Sequence, residues 1–174
     1  MSAYRNLAIL FTAQAIFGAG ALVLVTVGGV IGARIAPVAG LATLPVSLMV
    51  IGTALATVPA SLLMGRFGRR VGFCGASLLA MTSALIAARA ADHGAFALFC
   101  VASVGIGASM AFAQQLRFAA AESVPSDRAG QAISFILLGS IGGAILGGEL
   151  VARADQFDPA HPFRAPFIGL AVAH

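Results

Sequence analysis

The sequence predicts an all-α membrane protein: five transmembrane helices and part of a sixth in one bundle. Three observations carry that reading. Of the 174 residues, 60% are hydrophobic and only 9% are charged, where a soluble domain carries about 25% charged residues. The charges leave uncharged runs at 6–33, 35–65, 71–88, 94–116 and 129–148, each at least as long as the ~18 residues a spanning helix needs. These runs are apolar throughout, whereas the strands of a membrane β-barrel alternate apolar and polar residues. A water-soluble globule is excluded, and so is a disordered chain, which needs low hydrophobicity and high charge.

The spans are expected at about 6–30, 40–64, 71–89, 95–118 and 129–151, with an incomplete sixth at 165–174. The first apolar run has 28 residues, well beyond the ~7–15 of a signal-peptide core, so it reads as a retained span. Span 1 is rich in glycine and has Gln14 as its one strong hydrogen-bonding side chain. Span 2 carries Pro45 and Pro59, with hydroxyls close by to compensate for the lost backbone bonds. The six residues Gly65-Arg66-Phe67-Gly68-Arg69-Arg70 can only form a tight turn. Both glycines flanking the Arg66-Phe67 pair suit positive φ. Span 4 contains no breaker before Pro125, so it is expected to run on as helix past Arg117 to about Val124. The last run, ten residues, reaches only ~15 Å of a ~30 Å hydrocarbon core. The chain is therefore expected to be cut inside a sixth span, its missing half or a homodimer mate completing the unit.

All ten basic residues are arginine. With the N-terminus inside, six of them (Arg5, Arg66, Arg69, Arg70, Arg117 and Arg128) fall on the cytoplasmic side and four outside, which favours a cytoplasmic N-terminus in a bacterial inner membrane. Because the arginines sit in the gaps between spans, the bilayer accounts for the basic balance and no nucleic-acid partner is implied. Cys74 and Cys100 fall at different depths, which opposes a disulfide, and two cysteines do not make a metal pattern. No phosphate-binding loop, intramembrane serine-protease motif or cofactor motif is present, so neither an enzyme nor a bound cofactor is expected.

An offset of 87 residues aligns Gly18, Gly20 and Ala21 with Gly105, Gly107 and Ala108. It also aligns Gly52, Leu63 and Arg66 with Gly139, Leu150 and Arg153. Three spans against the next three would be an inverted repeat; chance identity in so Ala- and Gly-rich a chain is the competing explanation.

The residues from Ser61 to Arg70 resemble the loop 2–3 signature of the major facilitator superfamily, with Ser61 in place of its leading Gly and Gly65 in place of its Asp. Gly139, Gly143, Ala144, Gly147 and Gly148 in span 5 are similar to that superfamily's antiporter motif, with Ala144 where the motif has Pro. The stretch from Phe118 through Glu122 and Pro125 to Gly130 is similar to its loop 4–5. The resemblance covers the whole chain. It implies the N-terminal six-helix half of a twelve-span secondary transporter that moves a small solute by alternating access, export slightly favoured over uptake.

The resemblance further implies that Arg66, Gly68, Arg69 and Arg70 form a gating loop whose arginines pair with Glu122 or Asp127. The other reading is that these arginines only set topology and bind anionic lipid. Gly139, Gly143 and Gly147 repeat every four residues on one face, and with Gly148 they suit close helix packing. Spans 1 and 4 line the cavity in the family, so Gln14, Gln114, Gln115 and Arg117 are candidate substrate contacts. Arg117 could equally pair with Glu122 or snorkel to the surface. Glu149 is expected to pair with Arg153 at i+4. A proton is a possible coupling ion, yet spans 1 to 4 contain no Asp, Glu or His before Glu122 apart from the turn residues Asp92 and His93. A half-size bundle acting as an assembly partner or dimerising scaffold is the reading from a different functional class.

Overall fold

The computed structural model describes residues 2–157, 161 and 163–174. Among these residues eight α-helices run in chain order: α1 Ser2–Ile35, α2 Leu44–Phe67, α3 Arg69–His93, α4 Phe96–Ala113, α5 Leu116–Glu122, α6 Ala129–Ala152, α7 Ala154–Phe157 and α8 Ala165–Ala173. No strand is formed among the described residues. Counting α4 and α5 together, five of the segments are long and apolar enough to cross a membrane. The fold is the all-α bundle that the uncharged runs predict.

Residue size, more than polarity, decides which face of each helix turns inward. The helices are apolar on nearly every side, so burial cannot follow an apolar stripe. In α2, Gly52 and Ala60 are buried between Met49 and Met64, while Val50, Leu55, Val58 and Leu62 are exposed. In α6 the buried positions are Ala132, Ile136, Gly139, Gly143 and Gly147, and Leu137, Leu138, Ile141 and Ile145 face outward. Lipid solvates Leu as well as another helix does, so association rewards close backbone approach and dense van der Waals contact.

Two pairs of helices achieve that approach, α1 with α6 and α2 with α4, and they share the most extensive interfaces in the bundle. Along the first, Gly139, Gly143 and Gly147 step past the carbonyls of Phe11, Ala15 and Ala19, all at a four-residue interval. A Cβ added at these glycines would lie 2.9, 2.6 and 2.9 Å from the respective carbonyl oxygens. Along the second, Gly52 lies against the backbone of Val104, and Gly107 against that of Met49. Thr53 pins this crossing, its hydroxyl within hydrogen-bond reach of the Met49 and Gly107 carbonyls at 3.0 and 2.9 Å. Exchanging span 1 with 4 and span 2 with 5, as a three-plus-three repeat would, maps one seam onto the other.

Larger side chains fill the space between the seams. Phe99 and Phe167 meet edge to face, with centroids 5.8 Å apart, beside Leu24 and Ile106. A second cluster gathers Phe17, Leu116 and Ile136. α3 brings a stripe of small residues, Gly72, Ala76, Ala80, Ala84 and Ala87, to the interior.

Three local features differ from expectation, each for a physical reason. Pro45 lies in the first turn of α2, where its missing N–H interrupts nothing; only Pro59 is internal. In the α2–α3 turn, Gly68 alone has positive φ, +87°, and Gly65 remains helical. The fourth span is interrupted: α4 stops at Ala113, Gln114 and Gln115 form a turn, and α5 resumes at Leu116. The Gln115 N–H bonds the Phe112 carbonyl at 2.9 Å, an i to i+3 pattern that tightens the helix without any proline or glycine.

The seams make a paired prediction. Replacing Gly107 by Ala forces Met49 and Thr53 away, and overpacking of this kind costs about 1–3 kcal/mol. A Cβ at Gly29 would meet no neighbour within 4 Å, and Gly29→Ala should gain up to about 1 kcal/mol of helix propensity. Thermal unfolding in detergent is expected to fall for the first variant and to hold or rise for the second.

Candidate functional site

Helix alternation brings the start of α1, the α2–α3 turn and residues 114–128 to one end of the bundle. At this arginine-rich end one side chain makes the connections. The Arg69 guanidinium donates two hydrogen bonds to the Glu122 carboxylate, from Nε at 2.8 Å and from Nη2. Its Nη1 donates to the Gln115 carbonyl at 3.3 Å. The positive φ of Gly68 stops α2 and starts α3 at once, so Arg69 emerges in the first turn of α3 facing α5. Arg69 thus clasps both ends of α5: its carboxylate at the C-terminal end and the carbonyl of the preceding break. That carbonyl also accepts the N–H groups of Phe118 and Ala119. The arginine side chain is 32% exposed and the glutamate 64%, so water screens the pair and its bidentate geometry matters more than its raw Coulomb energy.

The other predicted gating residues stay apart from the clasp. Arg66 lies over its neighbour Phe67, 5.6 Å from the ring centroid, and Arg70 is exposed. Asp127 is 3.9 Å from Arg128 across a loose, exposed contact. Arg117 does not pair with Glu122, which Arg69 occupies; its guanidinium lies 5.2 Å from the Phe118 ring centroid. Gln114 is exposed, and Gln115 is half-buried at the break.

Gln14 is brought to the glycine seam. Its Nε2 donates to the Ser140 hydroxyl on α6 at 3.0 Å. Gly139 makes this reach possible, since a Cβ there would stand 3.1–3.2 Å from the Gln14 Cβ and Cγ. Gly143 and Gly147 lie in the same seam, while Gly148 is at its edge, where an added Cβ would stand 3.9 Å from the Leu22 Cδ2.

At the opposite end Arg153 bonds Glu149 at 2.7 Å, one turn away. Arg164 bonds Asp92 at 3.1 Å, tying the start of α8 to the end of α3. The Arg34 guanidinium lies 4.6 Å from the Phe163 ring centroid. Cys74 and Cys100 are both free thiols. Among the described residues no group of three His, Cys, Asp or Glu is placed to hold a metal ion.

Sequence reasoning missed Ser140, Thr53 and the Asp92–Arg164 pair. Ser140 directly follows the first seam glycine, a position from which a short hydroxyl can face the partner helix, and that was the available signal. The Asp92–Arg164 contact joins residues 72 apart and leaves no local trace.

Known proteins share this arrangement of sequence. Over 171 residues, 98% of the chain, it is 33% identical to the riboflavin transporter RfnT of Brucella anthropi and covers 43% of that protein. Over 153 residues, 88% of the chain, it is 30% identical to the uncharacterized MFS-type transporter YddS of Bacillus subtilis and covers 35% of it. The chain belongs to the major facilitator superfamily. It spans less than half the length of these relatives and corresponds to their N-terminal half. No protein-family model and no solved structure matches it. With its five long apolar helices, this superfamily member is an integral membrane protein.

Because only Arg69 among the loop arginines touches Glu122, a double-mutant cycle should separate it from its neighbours. Alanine substitutions at Arg69 and Glu122 are expected to show coupling of about 0.5–1 kcal/mol in thermal unfolding, shrinking as salt is raised. Arg66→Ala and Arg70→Ala should show none with Glu122→Ala.

Proposed function

We propose that the full-length protein is a secondary transporter of the bacterial plasma membrane that carries a small, uncharged, flavin-like solute by alternating access. One observation carries this reading. The likeness to the Brucella riboflavin transporter runs over 98% of the chain, so it takes in both glycine seams and the arginine turn. The seams suit a half that moves as one body, because backbone packed against backbone leaves little room to slide. The Arg69 clasp suits a latch that holds the α2–α3 turn against α5 in one state and lets go in the other. A second half supplies the facing wall of the cavity.

The excess of arginine at the clasp end supports a cytoplasmic N-terminus. A charged solute is disfavoured, since the middle thirds of α1 and α6 contain no charged residue. If protons drive the cycle, the groups that carry them lie outside α1, α2 and α4, which contain no Asp, Glu or His.

Full-length protein in sealed proteoliposomes is expected to show saturable riboflavin flux. Comparing accumulation with efflux from preloaded vesicles gives the direction; export is the expectation attached to the span 5 glycine motif. No flux of riboflavin or of any solute in a broad panel would overturn the transport reading. For topology, single cysteines at positions 66 and 92 in a background lacking Cys74 and Cys100 should react with an impermeant maleimide differently in intact cells: position 92 labels and position 66 does not.

A further inference from the structure

Most hydroxyls in the bundle's spans are already committed to their own helix. Thr12, Thr26, Thr57, Ser103 and Ser109 each lie 2.7–3.0 Å from a carbonyl oxygen three or four residues back. Ser140 is different. Its oxygen accepts the Gln14 amide N–H from across the seam, and it makes no bond to its own helix. The pair therefore keeps a hydroxyl proton to donate on one side and the Gln14 amide oxygen, an acceptor, on the other.

Where the pair sits gives this free capacity a meaning. Ser140 is the twelfth residue of the 24-residue α6, so it lies about 17 Å from either end of the helix, at mid-membrane depth. Ser140 is exposed on the surface of the bundle and Gln14 is half-buried. An exposed hydroxyl and amide at this depth would be costly against lipid tails, and polar groups so placed face a cavity or a partner. The glycine seam fixes both groups in advance. Gly139 permits the Gln14 stem to cross, and the backbone steps that follow hold Ser140 in register.

We propose that Gln14 and Ser140 form a substrate-reading subsite that takes the amide or imide edge of a neutral solute. An imide offers a carbonyl to the Ser140 hydroxyl and an N–H to the Gln14 oxygen, so one donor and one acceptor on the protein meet one acceptor and one donor on the ligand. A carboxylate or phosphate would find one good donor and one repelling oxygen, with no arginine on either helix near this depth. The inference rests on the proposed transport of a flavin-like solute, and riboflavin carries such an imide edge.

The test uses full-length protein in proteoliposomes, with riboflavin and its N3-methyl analogue as probes; methylation removes the imide N–H. Wild type should prefer riboflavin. Ser140→Ala and Gln14→Leu should each raise the riboflavin KM roughly three- to tenfold, the size of one lost neutral hydrogen bond, with kcat largely kept. Gln14→Leu should also lose the preference over the N3-methyl analogue, and Ser140→Thr should restore wild-type KM. Flavin fluorescence quenching on purified protein reads binding independently, and thermal unfolding confirms that each variant is folded. Folded variants with unchanged KM, quenching and analogue preference would overturn the subsite while leaving flavin transport intact. A wild type that neither binds nor moves riboflavin would overturn the flavin reading, and the subsite's proposed ligand with it.

Discussion

The bundle depends on backbone meeting backbone at two seams. In water, helices are driven together by burying apolar faces, but here lipid would solvate those faces just as well. What remains is dispersion between atoms brought to optimal distance, and glycine allows the largest number of main-chain atoms to reach it. Gly139, Gly143 and Gly147 put α6 on the carbonyl ridge of α1, and Gly52 and Gly107 let α2 and α4 cross at one point. The other placements follow from these. Phe99 and Phe167 fill the gap the seams leave between them, and large aliphatic residues are turned outward because the close contact has no room for them.

The arginine-rich end shows a different division of labour. Three arginines crowd one short turn, yet only Arg69 reaches a carboxylate and a backbone carbonyl together. The Gln114–Gln115 turn supplies that carbonyl. That carbonyl already accepts the Phe118 and Ala119 N–H groups of its own segment, and Arg69 adds a third, longer contact from another helix. The break and the clasp therefore stand together: the turn presents its carbonyl to α3, and the arginine reaches it while gripping Glu122 beyond.

Much of this was legible in the chain. Uncharged runs identify spans because a charge inside the hydrocarbon is expensive, and that rule needs no tertiary knowledge. The glycine spacing in α6 marked a packing face for the same kind of reason. Its counterpart, Gly52 with Gly107, was not legible, since the two residues lie in different helices and neither repeats at four. The interruption of span 4 was also hidden, because Gln114 and Gln115 are not helix breakers and only the i to i+3 bond at Gln115 reveals the turn. Similarity to a motif grouped Arg66, Arg69 and Arg70, but geometry separates them: one residue's step around the helix decides which faces Glu122. Gln14 stood out as the one amide in the interior of its span. Its partner could not be read, because serine is common in such helices and nothing local distinguishes one that bonds its own helix from one that reaches across.

The pairing of first with fifth and second with fourth has a consequence for biosynthesis. Neighbours in sequence, α1 and α2, share little surface, and each seam joins segments far apart in the chain: Thr53 with Gly107, and Gln14 with Ser140. A ribosome adding about 5–20 residues per second delivers Ser140 roughly 6–25 seconds after Gln14. For that interval the first helix is in the bilayer with its small-residue face uncovered, waiting for a mate not yet made. The order of completion is also set: α2 with α4 closes before α1 with α6 can. The last seam to form encloses everything inserted before it, so α6 acts as the clasp of a bracelet whose links were laid down loose.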